Sequence, residues 1–204
     1  MEKQSRIVRI VEQVYRLVIG SLLYWKTLVF SGGLYGFVDA ADRLMAFLSS
    51  GEPIVADKTE SLPYRKLLSF IWCALCSIFL AGYLYIANDK DTEVTLFLWI
   101  TATTAFVLYH IFLVTLIVLE KENERPLSNR MHYAQALDHM FRNPTKCVYI
   151  MVLSGSAVLV GFFNPILFVF LVPGLYWWLV TKGMGQQKKQ FKKEVQCDKL
   201  HPYQ

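Results

Sequence analysis

The chain has 204 residues, of which 54% are hydrophobic, 15% aromatic and only 18% charged. Its mean hydropathy of +0.35 lies outside the balance of soluble domains, and its length leaves room for one helical bundle. The formal net charge of +5 does not point to nucleic acid, because the basic residues cluster beside apolar runs, where a membrane protein keeps them on its inner side.

Four apolar runs, 17–38, 67–87, 94–119 and 147–181, are each long enough to meet a bilayer, since a span needs about 20 apolar residues at about 1.5 Å each. The runs are continuous rather than alternating, which excludes a closed barrel and leaves helices to satisfy the backbone in lipid. Residues 1–16 carry Lys3, Arg6, Arg9 and Arg16 and read as a basic cytoplasmic or interfacial helix. The first run has no small-residue cleavage site and is not expected to be a cleaved signal. Residues 17–181 form the transmembrane helical domain, and 182–204 a polybasic cytoplasmic tail with Lys188, Lys189, Lys192 and Lys193 around Phe191. Each Lys near an anionic leaflet contributes about 1 kcal/mol, so membrane lipid is the expected contact of that tail.

Charge sets the topology. Basic residues precede the first run, fill 58–66 and 121–146, and follow the last run, whereas the connection 88–93 holds Lys90 among Asp89, Asp91 and Glu93. The positive-inside rule puts only that connection outside. The N-terminus and the 51–66 loop are then both inside, which a single span at 17–38 cannot satisfy. Breaking it at Ser31-Gly32-Gly33 gives an ascending arm, 11–30, and a returning arm, 34–49. The last run, also too long for one span, divides at Asn164-Pro165 into 147–163 and 166–181. The expected fold is an all-α integral membrane protein: a polytopic helical bundle of about six hydrophobic helices in three hairpins, with an amphipathic cytoplasmic helix and both termini inside. Five true spans, with 34–49 interfacial, is the alternative.

Several polar residues within these segments are candidates for function. Lys26 and Asp39 lie at similar depth on either side of the glycine bend, where a buried charge needs a partner, and Arg43 is a rival partner for Asp39 at i,i+4. Asp39 and Asp42 resemble a metal-binding carboxylate pair, but the other spans supply no second set, and no cofactor is expected. His110, alone among ionisable residues in 94–119, suits either a proton relay or a hydrogen bond to a hydroxyl of Thr101, Thr103, Thr104 or a neighbouring arm. Segment 126–144 sets Tyr133, Ala134, Leu137, Met140 and Phe141 against Arg130, His132, Gln135, Asp138, His139 and Arg142, an amphipathic pattern that suits the inner leaflet or a docked partner. His132 and His139 lack the i,i+4 spacing of a helical metal pair, and Cys73, Cys76, Cys147 and Cys197 form neither a disulfide framework nor a zinc site.

The order of these features resembles the YesL-like family of bacterial membrane proteins. The matching pieces are Leu22-Leu23-Tyr24-Trp25, the glycine bend leading to Ala40-Ala41, Gly51-Glu52-Pro53-Ile54, Arg142-Asn143-Pro144-Thr145 and Pro173-Gly174-Leu175. At the first bend the family often has Leu-Pro, where this chain has Ser31-Gly32-Gly33. The resemblance implies neighbours that import or degrade carbohydrate, and supplies no catalytic residues. With no nucleophile elbow, metalloprotease helix or phosphate-binding glycine loop in the chain, no enzymatic activity is expected. The expected function is a non-catalytic accessory or scaffold associated with carbohydrate uptake, with importer subunits as partners; a small-solute transporter is the alternative.

Overall fold

The computed structural model describes residues 6–33, 35–50, 63–88, 93–122 and 129–184. Gly51-Glu52-Pro53-Ile54, most of the 88–93 connection and the lysines of the polybasic tail beyond Lys182 lie outside these residues. Among the described residues the fold is all helical: α1 (Arg6–Phe30), α2 (Phe37–Ser50), α3 (Pro63–Asn88), α4 (Glu93–Glu122), α5 (Asn129–Arg142), α6 (Pro144–Phe163), α7 (Pro165–Phe170) and α8 (172–184). Three helical stretches, Tyr64–Ile86, Glu93–Lys121 and Pro144–Phe163, are long and apolar enough to cross a membrane. This is a membrane protein. The remaining arms fall short for physical reasons: α1 carries Arg9, Glu12 and Arg16, and α2 is only about 21 Å long at 1.5 Å per residue.

Local chemistry explains the breaks. Gly33 N–H donates to the Leu28 carbonyl at 2.9 Å and Gly32 N–H to Val29 at 3.1 Å, the paired 6→1 and 5→2 bonds that close a helix C-terminus. Both glycines have left-handed backbones, with φ of 74° and 72°, which a side chain would strain. The chain then packs back along α1 as α2. Asn164 ends α6 and caps α7, its Oδ1 accepting from Leu167 N–H at 3.0 Å, and Pro165 occupies the first helical position, where its missing N–H costs nothing.

The expected single arm 166–181 is interrupted at Leu171, and Pro173 is the cause. Proline has no N–H for the carbonyl four residues earlier, that of Val169. Trp25 Nε1–H on α1 supplies the replacement, donating to Val169 at 2.9 Å. One turn earlier on α1, fully buried Ser21 accepts from Gly174 N–H at 2.9 Å and donates to the Leu17 carbonyl at 2.9 Å. The kink in the last hairpin is thus satisfied by an i,i+4 pair on the first helix.

Behind these contacts lies one apolar core. Val38, Ala40, Ala41 and Leu44 of α2, Leu113 and Val114 of α4, Ile150 of α6 and Trp177 and Val180 of α8 are all essentially inaccessible. The outer faces of α3, α4 and α6 remain apolar and exposed, as lipid-facing surfaces do.

A side chain at Gly174 has no room. Its Cβ would stand 2.5 Å from the Leu17 carbonyl oxygen, a backbone atom that cannot swing aside, whereas nothing lies within 4 Å at Gly155. We expect Gly174→Ala to lower the melting temperature in detergent and Gly155→Ala to preserve or raise it, since alanine favours the helix by up to about 1 kcal/mol. Equal responses would remove the close α1–α8 approach from the account.

Candidate functional site

Two polar centres join the helices. The first surrounds Arg65, at the start of α3. One guanidinium nitrogen lies 3.0 Å from Asp42 and 3.8 Å from Asp39, both on α2, and the other 2.8 Å from Glu120 at the end of α4. Tyr64 O–H donates to the same Glu120 oxygen at 2.5 Å. The side chains of Arg65, Asp39 and Glu120 are about a fifth exposed or less, and that of Asp42 is 40% exposed. Arg65 Nε, though buried, has no partner among the described residues. The same stretch of α3 caps α2, with Ser69 Oγ accepting from Val38 N–H at 3.2 Å.

This arrangement replaces the expected Lys26–Asp39 pair. A hairpin fixes depth but not azimuth: Lys26 sits on the exposed side of α1, whereas Asp39 turns toward α3. Arg43, the rival partner, is exposed on α2, and Arg65 takes both α2 carboxylates. Asp39 and Asp42 therefore face one fixed cation.

The second centre lies deeper, around His110 on α4. Trp72 Nε1–H of α3 donates to His110 Nδ1 at 3.1 Å. An indole N–H can only donate, so Nδ1 is an acceptor and the ring proton belongs on Nε2. That nitrogen is 3.0 Å from Ser154 Oγ on α6 and 3.1 Å from Tyr176 O–H on α8. Ser154 donates to the Ile150 carbonyl at 2.8 Å, leaving its lone pairs for His110 and for Tyr176, whose hydroxyl is 3.1 Å away. Every polar atom of the quartet thus has a consistent role with a neutral imidazole. Phe37 at the start of α2 stacks on Trp72 at 4.2 Å between centroids and lies near Trp177 and Tyr24, closing the apolar side. Thr101, Thr103 and Thr104 bond back to carbonyls of their own helix, so the neighbouring arms supply the His110 partners.

The amphipathic helix α5 is oriented differently from its sequence pattern. Ala136 is fully buried, and Tyr133, Met140, His132 and His139 are half-buried, whereas Leu137 and Phe141 are exposed together with Arg130, Gln135, Asp138 and Arg142. Tyr133 packs against Phe112 of α4, which explains the rotation. Arg142 pairs with Asp138 at 2.8 Å, one turn earlier on the exposed surface. His139 Nε2 lies 3.3 Å from the Lys146 ammonium, which also donates to the Met184 carbonyl at 3.4 Å and so ties α5, α6 and α8 together. Burial and the Lys146 charge push the His139 pKa below its usual value, with Asp138 opposing. Of the cysteines, Cys73 and Cys76 are half-buried on α3, and Cys73 Sγ lies 3.7 Å from the Gly33 carbonyl at the bend.

The sequence reading missed Arg65, Trp72, Ser154 and Tyr176. Arg65 carried a usable signal: a guanidinium is always charged, and at the start of an apolar helix it needs carboxylates from its neighbours. Comparison with protein-family models, with curated proteins and with solved structures gives no match to this chain.

Removing Arg65 strands three carboxylates. We expect Arg65→Ala to cost roughly 2–3 kcal/mol, less than a fully buried network because Asp42 reaches solvent. The double change Arg65→Ala with Glu120→Ala should cost less than the sum of the single changes in a denaturation series. Strict additivity would show that the two groups are not coupled.

For His139 the folded-state pKa is depressed, so the unfolded chain binds the extra proton first. Its contribution to stability is complete above the unfolded value of about 6.5 and is lost as pH falls from there toward the folded value. Melting temperatures from pH 7.5 to 5 should fall more steeply for the native protein than for His139→Gln, and parallel curves would contradict this.

Proposed function

We propose that the chain is a multi-pass protein of the cell membrane, with six hydrophobic segments in three hairpins and both termini cytoplasmic, that acts as a non-catalytic accessory or scaffold of a transport system. The observation that carries this reading is that the polar groups around His110 and beside Pro173 are bonded to one another. A solute or proton pathway needs intramembrane polar groups that face a cavity or the substrate. Here both nitrogens of His110 are occupied by Trp72, Ser154 and Tyr176. The backbone groups beside Pro173, which a broken-helix transporter would offer to its cargo, are taken by Trp25 and Ser21. Lys26 stands apart as an exposed cation on α1 and fits a residue that reaches toward the outer interface.

The charge asymmetry supports the proposed orientation. The resemblance to the YesL-like family supports carbohydrate importer subunits as the partner class. The outer surface of α5, where Arg130 and Arg142 flank Leu137 and Phe141, offers a contact to a cytoplasmic partner or to anionic lipid.

Three measurements test the proposal. In a background without the native cysteines, single cysteines at positions 3, 60, 135 and 196 should be protected from an impermeant external reagent and one at position 91 labelled; labelling at position 3 would reject the first hairpin. Importer subunits should co-purify with the native protein in detergent and be lost on Arg130→Glu with Arg142→Glu, while Leu137→Glu releases the helix from the leaflet. Partner recovery unchanged by the double charge reversal would reject docking through this surface. Solute flux in liposomes holding this protein alone would favour the transporter reading.

A further inference from the structure

A cavity of about 370 Å³ opens between α1, α2 and α8, lined by Arg9, Glu12, Arg16, Leu17, Leu48 and Trp178 among others. Its volume is within the range of small-ligand sites, about 300–1,000 Å³. The lining is divided: Leu17, Leu48 and Trp178 form an apolar part, and Arg9, Glu12, Gln13 and Arg16 the polar part. Lys182 adds a third cation, its ammonium 4.1 Å from the centre of the Trp178 ring. Glu12 is engaged by Arg16 at 2.9 Å, which leaves Arg9 unmatched among the described residues. The occupant this lining complements is an anion with an apolar body.

The surroundings of α1 indicate which such molecule is at hand. Residues 7–16 are all exposed, and among them Ile7, Ile10, Val11 and Val14 form one apolar stripe along the helix. An apolar stripe that the protein leaves uncovered, beside charged residues on the same helix, suits an interfacial medium around this end of α1. Arg16 lies about 12 Å and Arg9 about 22 Å along the helix axis from Tyr24, which packs against Phe37 beside the His110 centre. With the membrane placement proposed above, the groove extends from the depth of acyl carbons to that of headgroups, and its tryptophan and basic residues are the types enriched at that boundary. The polybasic tail does not complement the groove, because it carries the same sign of charge.

We propose that this groove is a binding site for one anionic phospholipid of the inner leaflet, with Arg9 and Arg16 holding the phosphate, Lys182 and Trp178 framing the headgroup, and Leu17 and Leu48 receiving the first acyl carbons. It rests on the membrane placement proposed above, but binding in detergent is read independently of orientation, so failure here and failure of the topology are separate results. Glu12 limits the affinity by competing with the phosphate for Arg16.

The test uses the full chain in a neutral detergent, with bound lipid counted by native mass spectrometry against phosphatidylglycerol and, separately, phosphatidylcholine. Phosphatidylglycerol should be retained preferentially. Arg9→Gln with Arg16→Gln should weaken its binding roughly 30-fold, from about fivefold per cation. Glu12→Gln should strengthen it several-fold, the reverse of what loss of a merely structural Glu12–Arg16 bridge would do. Both substituted faces are exposed, so a melting-temperature check on each variant separates binding from folding. Equal retention of the two lipids, or phosphatidylglycerol binding unchanged by the arginine substitutions, would overturn the site. Displacement of phosphatidylglycerol by glycerol 3-phosphate at equal concentration would overturn it in favour of a water-soluble anion.

Discussion

The fold depends on polar groups that cannot remain unpaired in an apolar medium. Between helices in lipid, burying another leucine gains little, because the acyl chains outside are as apolar as the core. What distinguishes one arrangement of helices from another is the small set of donors and acceptors that only one arrangement satisfies. In this protein that set is the quartet of Trp72, His110, Ser154 and Tyr176, which binds α3, α4, α6 and α8 together, with Arg65 joining α2, α3 and α4 near one end. Phe37 connects the two arrangements, since it begins the helix whose carboxylates meet Arg65 and its ring stacks on Trp72.

The break near Pro173 is settled by the same constraint. A proline in a membrane helix removes one hydrogen bond, and the freed carbonyl must find another donor. α1 carries Trp25 and Ser21 one turn apart, and both face the kink at Pro173. The first and last of the described helices are therefore held together by backbone chemistry as well as by packing, with Gly174 permitting the close approach. The backbone groups freed at the Pro173 break are absorbed within the protein, as the proposed scaffold role requires.

The backbone breaks were legible in the sequence because they are local. Ser31-Gly32-Gly33 and Asn164-Pro165 stop a helix whatever surrounds them, and the structure turns at both. The existence of a helix around 126–144 was legible for a similar reason. Orientation was not. The sequence placed Lys26 and Asp39 at similar depth but could not assign a direction about each helix axis, and Asp39 faces α3 instead. On α5 the pattern grouped Leu137 and Phe141 with Tyr133 and Met140, while packing against α4 divides them. Trp72 and Tyr176 lie within apolar runs, and nothing in their own segments marks them as partners of a histidine far along the chain.

The central claim, that the polar groups around His110 are committed to one another, makes a statement about a single proton. Trp72 can only donate, so His110 must accept at Nδ1 and carry its hydrogen at Nε2. Nitrogen-15 NMR of the protein labelled at histidine, with His110→Gln used to assign the signal, reads that tautomer directly. The account predicts a neutral ring protonated at Nε2 and unprotonated at Nδ1 at pH 7. A proton on Nδ1, whether in the other neutral tautomer or in an imidazolium, would break the Trp72 bond and leave His110 available for the proton or solute chemistry that the account denies it.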